Sequence, residues 1–143
     1  MASYNKINVF VENLCEAVHN FEPSAHSFKV MLTNTAPVAT NSVKADLTEI
    51  SAGNGYTAGG SAVTISSSAH TSGTHKVVMA DVTWTASGGS IGPFRYVVLY
   101  NDTPTSPADP LVAWWDYGSS VTLTSGSSFT TDFDASAGVF TLA

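Results

Sequence analysis

The chain has 143 residues, of which 43% are hydrophobic and only 11% charged. That is the length of one domain, able to bury roughly 70% of the surface its unfolded chain exposes, and it is too apolar for intrinsic disorder. Five Lys and Arg against eleven Asp and Glu give a net charge of −6 with no basic tract, which argues against nucleic acid as a partner, because phosphate contacts need clustered cations.

The scarcity of Lys, Glu and Arg also disfavours a helical bundle, whereas the abundant Thr, Val, Ser and aromatics suit strands and tight turns. Nowhere do about 18 apolar residues run together, so no spanning helix and no membrane partner is expected. The N-terminal "MASYNKINVFVENL" shows no basic start followed by an apolar run, so the sequence reads as made in a cytoplasm. The single cysteine, Cys15, cannot form an internal bridge and is expected to be a small buried apolar residue. So few charges on a Ser/Thr-rich surface hint at assembly rather than a free monomer.

Taken in chain order, residues 5–21 place Ile7, Phe10, Val11, Leu14, Val18 and Phe21 at steps of three and four, which predicts a helix. Asn5 would cap its start, and Pro23 lies beyond its end. The helix packs either on the core of its own domain or on a neighbouring subunit. After residue 26 the period becomes two. "HSFKVMLTN" reads as a strand ending in a turn, and "VKADLTEI" as a short strand or extended segment. "SAGNGYTAGGS" is a Gly-rich loop, followed by strands in "AVTISSSA" and "THKVVMADVTWTAS", the second bent near Ala80 and Asp81.

The C-terminal half is clearest. "PFRYVVLYN" puts Phe94, Tyr96, Val98 and Tyr100 on one face and Arg95, Val97 and Leu99 on the other, which predicts a central strand covered on both sides. A loop with Pro104, Pro107 and Pro110 leads to "LVAWWDYG". On a strand, Trp114 and Trp115 point to opposite faces, so one enters the core and the other needs a second layer or a subunit contact to cover it. "SVTL", "SSFTTDFD" and "GVFTLA" read as short final strands, with Phe129, Thr131 and Phe133 on the dry face of the second. About eight or nine strands with regular turn signals favour a mainly β chain: a single antiparallel β-sandwich over residues 1–143, jelly-roll-like rather than immunoglobulin-like, with one N-terminal α-helix.

Short motifs add little chemistry. "GGSIG" fits the pattern of a nucleophile elbow, but Pro93 and a strand follow where a helix should begin, so Ser90 reads as a loop serine. "GNGYTAG" lacks the strand and helix that a phosphate loop needs. His19, His26, His70 and His75 do not cluster at zinc-ligand spacing and read as surface or turn residues. Asp132 and Asp134, even joined by Asp116 or Asp102, lack the dense Asp/Asn/Gly run of a calcium loop. The sequence therefore predicts no catalytic residue, no metal and no cofactor.

The stretches "KVMLTNTAPVATNSVKADLTEISAGNGYTAGG", "IGPFRYVVLYNDT", "LVAWWDYGSSVTL" and "FTTDFDASAGVFTLA" resemble a family of small virion proteins of tailed bacteriophages, over nearly the whole chain. The resemblance implies a structural protein of the phage particle. Small size and the absence of coiled-coil or repeat segments favour a capsid decoration or cement protein on the outer surface of the head. Its partners would be the major capsid protein and further copies of itself, as a homodimer or homotrimer. The alternative is a tail or fibre component that contacts the host, for example as a carbohydrate-binding β-sandwich. Contact residues are expected at Phe10 and Leu14 of the helix, at Tyr56 in the Gly-rich loop, at Asp102, Pro104 and Pro107 in the proline loop, and at Trp114 or Trp115, since loops and termini carry binding surfaces.

Overall fold

The alternating stretches of sequence become ten strands in the computed structural model, which describes residues 2–143. In chain order these are β1 (Tyr4–Lys6), a single helix α1 (Phe10–Cys15), β2 (Phe28–Thr33), β3 (Ser61–Val63), β4 (Ile65–Thr71), β5 (Thr74–Met79), β6 (Val82–Thr85), β7 (Ile91–Asn101), β8 (Leu111–Leu123), β9 (Ser128–Thr131) and β10 (Phe140–Leu142). All pairings are antiparallel. They form a five-stranded sheet in the order β1-β8-β7-β2-β3, a three-stranded sheet β10-β5-β4 and a two-stranded sheet β6-β9. The chain is an antiparallel β-sandwich whose principal sheet joins strands far apart in the sequence.

β7 lies at the centre of that sheet, as its two apolar faces require. Phe94, Val98 and Tyr100 on one side and Val97 and Leu99 on the other are all buried. The registers Val98↔Trp114 and Val97↔Trp115 place the two tryptophans on opposite faces. The side carrying Phe28, Val30, Leu32, Val97 and Leu99 meets the aromatic cluster of Phe10, Phe21 and Phe140, where Phe21 stacks on Phe28 at 4.6 Å. Over the Tyr100 side runs the segment between β2 and β3. Lys44 of this segment holds its ammonium 5.7 Å from the Tyr100 ring, and the Tyr100 hydroxyl donates to the Gly59 carbonyl at 2.6 Å. The chain thus supplies its own second cover.

Gly60 permits the close approach at the end of that segment. Its φ is +78°, and a Cβ there would lie 2.0 Å from the Val30 carbonyl oxygen, so any side chain would collide with the backbone of β2.

The helix is much shorter than the apolar spacing predicts. Residues 4–6 are drawn into β1 by pairing with Trp115, Trp114 and Ala113, so Asn5 lies in a strand and caps nothing. At the other end Ala17 adopts φ +60°, which closes the helical run. Val9 takes the N-cap position without a side-chain bond. Phe21 reaches the core from irregular backbone, so the three-and-four spacing reflects a chain wrapping round a core rather than one long helix. Cys15, expected to be buried, is exposed at the last turn.

"VKADLTEI" forms no named strand. It holds a single 3-10 turn at Lys44–Asp46, whose Asp46 carboxylate accepts the Ser42 and Val43 N–H groups at 2.7 and 3.1 Å, and two isolated bridges, from Val43 to Pro110 and from Glu49 to Thr33. "SVTL" is the far end of β8 rather than a separate strand. Gly118, at φ +97°, turns within β8 and its N–H is held by the Asp116 carboxylate at 2.7 Å. The bend predicted at Ala80 and Asp81 separates β5 from β6. On the wet face of the β6-β9 pair, Thr83 meets Thr130 and Thr85 meets Ser128, each hydroxyl pair 2.7 Å apart.

Candidate interaction site

The eight residues expected to make contacts separate into two groups. Phe10 and Tyr56 belong to the core, 1% and 2% exposed, and are not surface contacts in the folded chain. Phe10 packs edge-on against Phe21 and Phe140, since an aromatic in a short helix lying on a sheet buries more apolar area than it can at the surface. The Tyr56 hydroxyl accepts the Leu32 N–H at 3.0 Å and donates to Glu49 Oε1 at 2.7 Å, so the Gly-rich loop is fastened rather than free. Burial and the adjacent Glu49 raise the Tyr56 phenol far above its ordinary range, and it stays a neutral donor. Leu14 is half-buried against the core.

Asp102 and Pro107 are exposed and Pro104 is partly so, which leaves the proline loop on the surface. Asp102 is tied to Lys29 by an ion pair of 2.8 Å, and its N–H donates to the Ser27 carbonyl at 2.8 Å. Behind the loop, Asn101 is fully buried, and its amide lies 3.2 Å from His19 Nδ1 and 2.9 Å from His26 Nδ1. Because an amide NH2 can only donate, both ring nitrogens act as acceptors there. His19 is therefore a core histidine, 4% exposed, not the surface residue its polarity suggested. Burial, followed by the proximity of His26, pushes its pKa down to about 4.

Trp114 and Trp115 are both half-buried. Trp115 sits between Tyr4 and Phe133, with ring centroids 5.8 and 5.4 Å away. Trp114 meets the edge of Tyr96 at 6.0 Å. Next along β8, Asp116 takes a two-pronged bond from Arg95, at 2.7 Å to Nε and 2.8 Å to Nη2, and the guanidinium lies 5.3 Å from the Tyr96 ring. Arg95, with the Gly118 N–H second, holds the Asp116 carboxyl below its usual range. Tyr117 follows at 55% exposure, its ring edge-on to Phe129 at 5.6 Å.

Two tryptophans, one on each face, an exposed tyrosine and an arginine thus lie along the central β7–β8 pair. These residue types dominate the energetics of protein interfaces, and here their rotamers are fixed by neighbours before any partner arrives. Sequence reasoning found the tryptophans but missed Arg95 and Tyr117. Alternation along "WWDYG" places Tyr117 on the Trp115 face, and that signal was available.

A shallow groove of about 320 Å³ lies between residues 14–22 and the β5-β10 pair, lined in part by His19, Glu22, Ser68 and His75. Ser68 Oγ is 2.9 Å from His75 Nε2. Among the described residues no third group orients that ring, so the pair acts as a cross-strand hydrogen bond. Ser90 sits exposed in the loop before β7, its carbonyl accepting the Asn54 amide at 3.0 Å. No group of three metal-ligating side chains occurs among the described residues, and no helix is long and apolar enough to cross a membrane.

The chain matches no protein-family model, no curated protein and no solved structure.

Proposed function

We propose that this protein is a non-enzymatic structural component of a tailed-bacteriophage particle, a decoration or cement protein that binds the outer surface of the assembled head and bridges major capsid protein subunits. One observation carries the reading beyond the sequence resemblance. Trp114, Tyr96 and Arg95 form an ordered, partly exposed aromatic and cationic cluster on β7 and β8, and Tyr117 stands more than half exposed further along β8. Such a patch suits binding to a fixed lattice, where contacts made only in the assembled shell stabilise that shell by mass action. The exposed proline loop around Asp102 and Pro107 offers a second contact region.

The test is thermal. Heads stripped of small outer proteins are mixed with the purified protein, and DNA release is followed on heating. A cement protein raises the release temperature in proportion to occupancy until its sites fill. Unchanged release at saturating protein would refute bridging.

A further inference from the structure

We propose that β4 is a self-association edge, through which two copies of this chain pair antiparallel about a two-fold axis at Ala69. The proposal is independent of the role in the phage particle. β4 borders the β10-β5-β4 sheet with its outer side unpaired. The other outermost strands of the two larger sheets, β1, β3 and β10, have three residues each, whereas β4 has seven, Ile65–Thr71. Its sequence ISSSAHT carries no Lys, Glu, Asp or Pro, the residues that ordinarily block pairing at an edge.

The hairpin turn fixes which backbone groups are free. Ser72 and Gly73, at φ +51° and +85°, form a two-residue turn flanked by the pair Thr71↔Thr74. In such a hairpin the flanking pair exchanges both hydrogen bonds, and alternate pairs along the ladder do not. Thr71, Ala69 and Ser67 therefore bond to β5. Ser68 and His70 aim their N–H and C=O groups outward, and neither group has a backbone partner among the described residues.

A second copy is the occupant that fits. Pairing Ser68 with His70 of the other copy, and His70 with its Ser68, joins outward groups to outward groups in two hydrogen-bonded pairs. Ala69 then faces itself, where side chains come closest and a methyl fits. Ser67 faces Thr71, so no like charges meet. Charge favours the same encounter. In a chain of net charge −6, the whole stretch between Glu49 and Asp81 contains no carboxylate. The β4–β5 hairpin is where two acidic copies approach with least repulsion. The product is a continuous six-stranded sheet, β10-β5-β4 joined to its mate.

Sedimentation equilibrium on the purified chain tests this, with Cys15 kept reduced because it is exposed. Ser67 and Thr71 are both exposed, so each tolerates a charged residue. The wild type is expected to dimerise. S67K/T71K sets lysine against lysine at two cross-strand pairs and weakens the dimer about tenfold or more, whereas S67K/T71E sets lysine against glutamate and restores it. Hydrogen exchange supplies a readout without substitution: the amides of Ser68 and His70 gain protection as protein concentration rises. A wild type that stays monomeric up to millimolar concentration, a dimer indifferent to both double variants, or exchange at Ser68 and His70 that ignores concentration would each overturn the proposal.

Discussion

The Tyr56 hydroxyl accepts the backbone N–H of Leu32 at 3.0 Å, fastening a Gly-rich loop to β2 near its end. The same oxygen donates to Glu49 at 2.7 Å, while the other side of that carboxylate pairs with Lys44 at 3.3 Å. Replacing Tyr56 by Phe keeps the buried ring and leaves the Leu32 N–H without its acceptor. The expected cost is ~1–3 kcal/mol, read as a lower urea midpoint with an unchanged slope. An unchanged midpoint would mean that the loop is not fastened there.

Gly60→Ala tests the close approach of the same segment to β2. With a positive φ and a Cβ 2.0 Å from the Val30 oxygen, the change must displace the backbone. It should cost clearly more than the same change at Gly73, where a positive φ alone costs about 1–2 kcal/mol and nothing lies within 4 Å. Comparable losses at the two positions would show that conformational strain, and not contact with Val30, dominates.

Trp84 and Tyr117 should respond in opposite ways. Trp84 is 2% exposed, and its replacement by Ala should remove about 3–5 kcal/mol of stability. Tyr117 is more than half exposed, so Tyr117→Ala should leave the thermal midpoint nearly unchanged while weakening binding to phage heads. Full head binding by folded Tyr117→Ala would remove that residue from the contact surface.

The His19 environment makes stability depend on pH. Its pKa is about 4 in the folded chain against 6.5 in the unfolded one, so between these values the unfolded state binds more protons. Stability is therefore complete above about pH 6.5 and declines as pH falls toward 4, by on the order of 2–3 kcal/mol. His19→Phe places another ring in the cluster of Phe10, Phe21 and Phe28 and should flatten this part of the profile. Urea titrations from pH 4 to 7 decide it, and an undiminished slope in the variant would assign the effect to other groups.

Legibility differed along the chain for physical reasons. The near-continuous apolar run from Phe94 to Tyr100 identified the central strand, because a strand covered on both faces leaves an apolar residue at almost every position. The opposed faces of Trp114 and Trp115 followed from strand geometry alone. The helix was overread because Phe10 and Phe21 converge on Phe140 through a turn and irregular backbone, which leaves the same three-and-four spacing as a helix. Tyr56 was misplaced because a Gly-rich loop predicts exposure locally, while its burial depends on β2, far away in sequence. His19 was misread for a similar reason: its partner Asn101 lies 82 residues away. Arg95 escaped notice since its bond to Asp116 exists only once β7 and β8 pair.

The most direct test of the account is co-sedimentation of the purified chain with mature heads stripped of their small outer proteins, with intact tails in parallel. Saturable binding to heads at a fixed ratio to the major capsid protein is the predicted result. Binding to tails or host cells instead, with none to heads, would contradict it and favour the fibre or carbohydrate-binding alternative.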